Sequence, residues 1–83
     1  SISAGQVAML AQKCYQAKKN EVKGFSCYVI HMQDQTPGNA EIKAAWDEIE
    51  DYAGINVKDC SVPGQHAIFM EYSLPRNVTV TCG

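Results

Sequence analysis

The sequence has no closely spaced cysteines, no long apolar run and no excess of positive charge. It contains 83 residues, of which seven are basic and nine are acidic. This balance provides no phosphate-neutralising surface, so nucleic acid is not an expected partner. No apolar run approaches the roughly 20 residues that a helix needs to cross a bilayer. We therefore predict a protein with neither a nucleic-acid partner nor a membrane span.

Two further absences concern cofactors. Structural zinc sites usually take their ligands from closely spaced cysteine pairs, and the sequence has no such pair. A glycine-rich phosphate-binding loop is also missing, because the six glycines are scattered along the chain. We therefore expect no metal and no cofactor.

Four cysteines are spread over the whole chain, at Cys14, Cys27, Cys60 and Cys82. A domain this short buries little apolar surface, and small domains of this kind are often held together by disulfides. We predict two disulfides, each adding about 2 to 4 kcal/mol of stability. Three pairings are possible. A bridge between Cys14 and Cys82 is preferred, because it would hold both ends of the chain.

Oxidised cysteines predict a secreted, extracellular protein. The chain starts at Ser1 with neither an initiator methionine nor an apolar leader, which fits a mature secreted chain. We expect residues 1–83 to form a single monomeric domain.

Apolar periodicity predicts two helices. Residues 3–20 begin with Ser3 and Gln6 at the spacing of a capping box, followed by one apolar stripe. The second helix would have Thr36 or Asn39 as its N-cap, run through a core Trp46 and end at Gly54.

Alternating residues predict the strands. Residues 24–32 are apolar on both faces, which favours the centre of a sheet and places Val29 in the core. Residues 55–62 suggest a short edge strand. Two further strands, 66–73 and 77–82, follow a turn whose Gly64 needs a positive φ.

This order of elements predicts an α+β two-layer sandwich. Two helices would pack on one face of a three- or four-stranded, mainly antiparallel sheet stapled by two disulfides. A right-handed crossover could make the strands at 24–32 and 66–73 parallel, which would make the sheet mixed.

Four residues are candidates for catalysis. His31 or His66 with Glu71 and Arg76 could cleave RNA, since one group would accept the 2′-hydroxyl proton and another would protonate the leaving oxygen. Arginine would stabilise the phosphorane. Alternation places His66 and Glu71 on opposite strand faces, which separates the acid from the base.

An acidic run occupies the end of the second predicted helix, at Asp47, Glu48, Glu50 and Asp51. Negative charge at a helix C-terminus opposes the helix dipole, so helix stability does not explain it. It is either a solvated face or, together with Arg76 of the last hairpin, a docking surface for a partner protein.

The sequence also contains a glycosylation signal. Asn77 begins an Asn-Val-Thr sequon, which makes it a candidate acceptor for an N-linked glycan in a secreted protein.

The cysteine layout carries a resemblance. Cys14 on the first helix, Cys27 on the first strand, Cys60 after the second helix and Cys82 on the last strand resemble small secreted proteins of filamentous fungi. Among these, the chain is similar to effector proteins with a killer-toxin-like α/β sandwich. The resemblance implies a non-enzymatic virulence or toxin-like protein that binds a host or competitor protein.

A second similarity covers the middle of the chain. Residues 27–32, the Trp46 helix and residues 69–72 are similar to subtilisin-propeptide-like inhibitors, with their strand, helix and strand order. Three hypotheses result: a secreted effector or toxin-like binding protein, a small secreted ribonuclease, and a propeptide-like protease inhibitor.

Overall fold

The chain folds in the order α1 (Ala4–Lys18), β1 (Phe25–His31), α2 (Asn39–Ile49), β2 (Gly54–Lys58), β3 (Ala67–Ser73) and β4 (Asn77–Cys82). These bounds come from a computed structural model that describes residues 2–20, 23–50, 53–74 and 76–83. The strands form one sheet in the order β1-β3-β4-β2, and both helices pack on one of its faces. The predicted α+β sandwich stapled by two disulfides is confirmed.

Helix α1 begins with the predicted capping box. The Gln6 amide donates to Ser3 Oγ at 3.2 Å, and the Ser3 amide donates to Gln6 Oε1 at 2.8 Å. Two N–H groups at the helix start are thereby satisfied. The apolar stripe that follows is buried, and it comprises Val7, Ala8, Ala11, Cys14 and Tyr15.

The predicted N-cap of α2 is wrong, because the helix starts at Asn39 and its N-cap is Gly38, not Thr36 or Asn39. Both polar side chains instead hold the loop at Cys60. The Thr36 hydroxyl donates to the Cys60 carbonyl at 3.3 Å, and Asn39 Oδ1 accepts from the Cys60 amide at 2.8 Å. Long-range hydrogen bonds therefore use the side chains that would otherwise cap the helix.

Helix α2 also ends earlier than predicted. Glu50 is already extended, with φ of -141°, and Gly54 starts β2 instead of terminating the helix. Gln12 of α1 donates to the carbonyl of Ile49 at 2.9 Å. The neighbouring helix thus satisfies a carbonyl of the last turn, which has no partner within the helix.

Strand β1 lies at the edge of the sheet, so its predicted central position is wrong. It pairs with β3 alone, and the register shifts between Ser26 and Tyr28. This β-bulge turns two consecutive residues toward the helices: Cys27 bonds to α1, and Tyr28 packs against the core. Val29 consequently points away from the helices and is 53% exposed, so its predicted core position is also wrong.

The sheet is mixed, as predicted, but through a different pair of strands. β1 and β3 are antiparallel, which contradicts the proposed crossover between them. The parallel pair is β2 with β4, and β2 is the predicted short edge strand. Gly64, in the connection before β3, has φ of 86°, as its predicted turn requires.

The disulfides join Cys14 to Cys27 and Cys60 to Cys82, so the preferred pairing of Cys14 with Cys82 is wrong. The bulge explains the first bridge, because it turns Cys27 toward α1. Parallel pairing explains the second bridge. Lys58 of β2 lies opposite Thr81 of β4, which brings the segment after β2 close to the end of β4.

Trp46 anchors the core, as its position in the helical pattern predicts. It is 2% exposed, and its indole Nε1 donates to the carbonyl of Ala53 at 3.1 Å. Across the core, the Tyr15 and Tyr72 ring centroids lie 6.3 Å apart. These aromatic side chains fix both helices against the inner face of the sheet.

Candidate functional site

The face of the sheet opposite the helices is uncovered. Residues alternate along each strand, and those that do not point into the core form what we call the open sheet face. Its members include Ser26, Val29, His31, Asn56, Lys58, Phe69, Glu71, Thr79 and Thr81, placed by the strand registers and the burial pattern. An antiparallel sheet commonly leaves one face to solvent, so the composition of this face is more informative than its exposure.

Two apolar side chains lie next to each other on the β1 side of the open sheet face. Val29 of β1 is directly opposite Phe69 of β3, and they are 53% and 38% exposed. A Cβ added to Gly83 would lie 3.1 Å from Phe69 Cε2, so the ring packs across the backbone of Gly83. The glycine leaves room for this ring orientation.

Polar and charged side chains border the apolar pair on the β3, β4 and β2 side. Thr81 lies between Phe69 on one side and Lys58 on the other. Glu71 pairs with Thr79, whose hydroxyl lies 3.1 Å from that of Ser73. Apolar side chains next to a polar rim are common in protein–protein interfaces.

The four candidate catalytic residues do not converge on one site. His31 lies opposite Ala67 on the open sheet face, and Glu71 is four residues further along β3, about 13 Å away at the usual strand rise. His66 precedes β3, and its Nδ1 lies 3.0 Å from the carbonyl oxygen of Asp34. Two groups that transfer protons at one phosphate must both reach it within hydrogen-bond distance.

Arg76 and Glu71 line different grooves. Arg76 lines a groove together with Tyr15, Lys19 and Glu50, whereas Glu71 lines one beside the first residues of β1.

The acidic helix end is divided between two roles. Asp47 and Glu48 are exposed in the last turn of α2. Glu50 is half-buried and accepts hydrogen bonds from Gln12 Nε2 at 3.2 Å and from the Ala53 amide at 3.3 Å. Asp51 lies outside the described residues. Glu50 thus stabilises the end of α2, which the sequence pattern did not suggest.

Glu50 and Arg76 line the same groove, so the end of α2 and the last hairpin do share one surface. This groove contains both signs of charge, since Lys19 also lines it. A docking role for Asp47, Glu48, Glu50, Asp51 and Arg76 stays a prediction.

Asn77, the candidate glycosylation site, starts β4 between two neighbouring strands. It lies opposite Gly54 on β2 and Ser73 on β3, and it is half-buried. Its side chain sits against the α-carbon of Gly54, where no Cβ would fit. Glycan attachment at Asn77 stays a prediction.

All four cysteines form disulfides, which leaves no thiolate for catalysis or metal binding. Among the described residues, no group of three or more His, Cys, Asp or Glu side chains is placed to hold a metal ion. In the same part of the chain, both helices are too short or too polar to cross a bilayer.

Sequence reasoning missed the Val29 and Phe69 pair. The alternation of β3 did place Phe69 on the other face of the strand from the core-facing Ile68 and Met70, so the sequence indicated the exposure of Phe69. The exposure of Val29 could not be predicted, because simple alternation keeps Val29 on the same face as Cys27 and the bulge breaks this alternation.

No protein-family model, no curated protein and no solved structure shows a significant match to this chain.

Proposed function

We propose that this is a secreted, non-enzymatic effector or toxin-like protein that binds a protein of a host or competitor through the open sheet face. The exposed pair of Val29 and Phe69 carries the proposal. Exposed apolar side chains bordered by polar ones favour association, since binding removes apolar surface from water while the rim remains solvated.

The frame behind this face supports the proposal. One disulfide joins α1 to β1, and the other joins the end of β4 to the segment after β2. Both bridges thus secure edge strands of the sheet that carries the face. A preorganised surface loses less conformational entropy on binding than a flexible one.

Secretion is supported by the same bridges, because disulfides persist in oxidising environments and are rare in the cytosol. The cysteine layout adds the resemblance to fungal effector proteins.

The test uses fluorescently labelled, oxidised protein titrated onto cells of candidate host plants and competitor microbes. We expect saturable binding that unlabelled protein displaces. Val29→Ser should weaken it at least tenfold. Val62→Ser is the matched control, because Val62 is also a half-exposed valine, at 46%, but lies in the turn before β3. Equal effects of the two substitutions would contradict the assignment of the binding surface.

Two further assays separate this proposal from the other hypotheses. Wild-type protein should leave RNA intact, so that His31→Ala and His66→Ala change nothing. RNA cleavage that His31→Ala or His66→Ala abolished would instead support the ribonuclease hypothesis.

A protease inhibitor is the second candidate function, favoured by the position of β1 at the sheet edge. Proteases commonly bind an extended strand in their clefts, and an edge strand can supply one. Progress curves of a subtilisin-like protease with added protein would slow if this candidate is correct, and would stay unchanged if it is not.

A further inference from the structure

Among the described residues, strand β1 has a neighbouring strand on one side only, and the backbone groups that point away from this neighbour can be assigned from the hydrogen-bond pattern. The Met32 amide donates to the His66 carbonyl at 2.9 Å. Antiparallel pairing alternates along a strand, so Ile30 also bonds to β3, whereas Val29 and His31 direct N–H and C=O toward the free edge.

The hydrogen bonds of β3 agree with this assignment of the outward-pointing groups. Ala67 exchanges two hydrogen bonds with Gly83, both at 2.9 Å, so Ala67 bonds toward β4 and not toward its β1 partner, His31. Val29 lies opposite Phe69. Phe69 is two residues after Ala67, so its backbone N–H and C=O also point toward β4 and not toward Val29. The free edge therefore offers two donors and two acceptors.

This edge lacks the usual protection against strand pairing. Native edge strands commonly carry lysine, proline or inward-pointing charges. Residues 28–32 contain no proline, lysine, aspartate or glutamate, and the bulge at Cys27 interrupts only the beginning of the strand. The other edge strand, β2, is shorter and ends in Lys58.

Apolar side chains line the helix side of the same edge. Ile30 and Met32 are only partly buried against the core, and both line a depression with Ile2 and the polar side chains of Gln33 and Asp34. Ile2 in turn borders a second depression of about 230 Å³, which Met9 and Leu10 line together with Gln6 and Lys13. Met9 is 55% exposed, so α1 offers an apolar flank next to the free edge.

From these observations we infer that the β1 edge binds an extended segment of the partner protein as a fifth strand. The backbones of Val29 and His31 would supply four hydrogen bonds, and an apolar side chain of the segment would enter the depression formed by Ile2, Met9 and Leu10. This inference rests on the proposed function, which supplies the partner. Val29 belongs to both surfaces, so the added strand extends the open sheet face.

The occupant is therefore an extended segment with mainly apolar side chains at the positions that face α1. A basic side chain beside Met9 and Leu10 would lose its hydration next to Lys13, which carries the same charge. Backbone pairing provides affinity in such sites, and the side-chain pockets provide specificity.

The probe is a phage-displayed library of random decapeptides selected on the immobilised, oxidised protein. We expect peptides with apolar residues at alternate positions, and we expect Val29→Pro to weaken their binding at least tenfold. Proline removes the outward-facing N–H without removing a hydrogen bond to β3. Val29→Ala is the matched control, because it keeps that N–H, and it should weaken binding less than threefold.

Amide hydrogen exchange in the wild-type protein provides a readout that does not depend on how the proline variant folds. Without peptide, the amides of Val29 and His31 should exchange at least tenfold faster than that of Ile30. A bound peptide should slow Val29 and His31 at least tenfold. Slow exchange of these two amides in the free protein, together with a dimeric mass in sedimentation, would assign the edge to a second copy and overturn the inference.

Failure to select any peptide would also overturn the inference, as would peptides that bind Val29→Pro as tightly as wild type. Neither result affects the cell-binding assay of the proposed function. Conversely, peptide binding with the expected exchange pattern, but without any saturable cell binding, would refute the proposed function and leave the edge site established.

Discussion

The two faces of the sheet differ in what their side chains do. On the helix side, Met70, Tyr72 and Val80 are at most 1% exposed, and they belong to the same buried cluster as side chains of both helices. On the open sheet face, Val29 and Phe69 are 53% and 38% exposed. The comparison suggests that the covered face determines stability and the open face determines binding, so substitutions on the two faces should affect different measurements.

The largest expected effect is on the covered face. Trp46→Ala removes a buried ring and its hydrogen bond to Ala53, so it should lower the free energy of unfolding by about 3 to 5 kcal/mol. Chemical denaturation measures this loss. Phe69→Ala is the aromatic control from the open face, and it should lower the same quantity by about 1 kcal/mol or less. Equal losses would contradict the division between the faces.

The sequence predicts the covered face well, because burial leaves a periodic record. The stripe of α1, the core position of Trp46 and the alternation of β3 and β4 could all be predicted from spacing. The open face could not be predicted as well. Its key residue Val29 depends on a bulge at Cys27, which is a local break in alternation that only the paired strand reveals.

Strand order and disulfide pairing were also beyond the sequence. Both depend on contacts between distant segments, and an apolar pattern gives the face of a strand but not its neighbour. The parallel pairing of β2 with β4 brings Cys60 close to Cys82, and no local sequence pattern predicts this pairing. Likewise, Thr36 and Asn39 look like helix caps until the loop at Cys60 takes their hydrogen bonds.

The next effect concerns the two disulfides, whose cysteines lie on the covered side of the sheet. Removing either bridge by a double cysteine-to-serine substitution should lower the free energy of unfolding by about 3 kcal/mol. The bridge from Cys60 to Cys82 closes 22 residues and that from Cys14 to Cys27 closes 13. Removing the bridge from Cys60 to Cys82 should therefore lower the free energy of unfolding by about 0.5 kcal/mol more than removing the other bridge. The reason is that closing a longer loop restricts the unfolded chain more.

Urea unfolding of both double variants measures this difference. Each variant keeps the other bridge, so each serves as the control for the other. If removing the Cys14 to Cys27 bridge, which closes the shorter loop, lowered the free energy of unfolding more, loop closure would not be the main contribution of the bridges. Native contacts around Cys14 would then dominate.

A smaller stability effect is expected on the open face itself. Phe69→Ser should lower the free energy of unfolding by about 1 kcal/mol, since its ring is only partly buried. Its effect on partner binding should be at least tenfold. Thermal unfolding and cell binding of the same preparation measure both quantities. A large loss of stability with unchanged binding would show that Phe69 stabilises the fold and does not contact the partner.

The smallest effect is expected at the end of α2. Asp47→Asn and Glu48→Gln remove negative charge from a helix C-terminus, where it opposes the dipole, so each should raise the free energy of unfolding by about 0.3 kcal/mol. The gain should shrink at high salt. Denaturation at low and high ionic strength measures it. Weakened partner binding in these variants would restore the acidic docking surface as a hypothesis.

The most direct measurement places a photo-reactive benzoylphenylalanine at position 69 or, separately, at position 47 of the oxidised protein. Each variant is irradiated on cells that bind the wild type. We expect one covalent adduct from position 69, which excess unmodified protein abolishes, and none from position 47. An adduct from position 47 alone would show that the partner binds at α2, which would contradict the assignment of binding to the open sheet face.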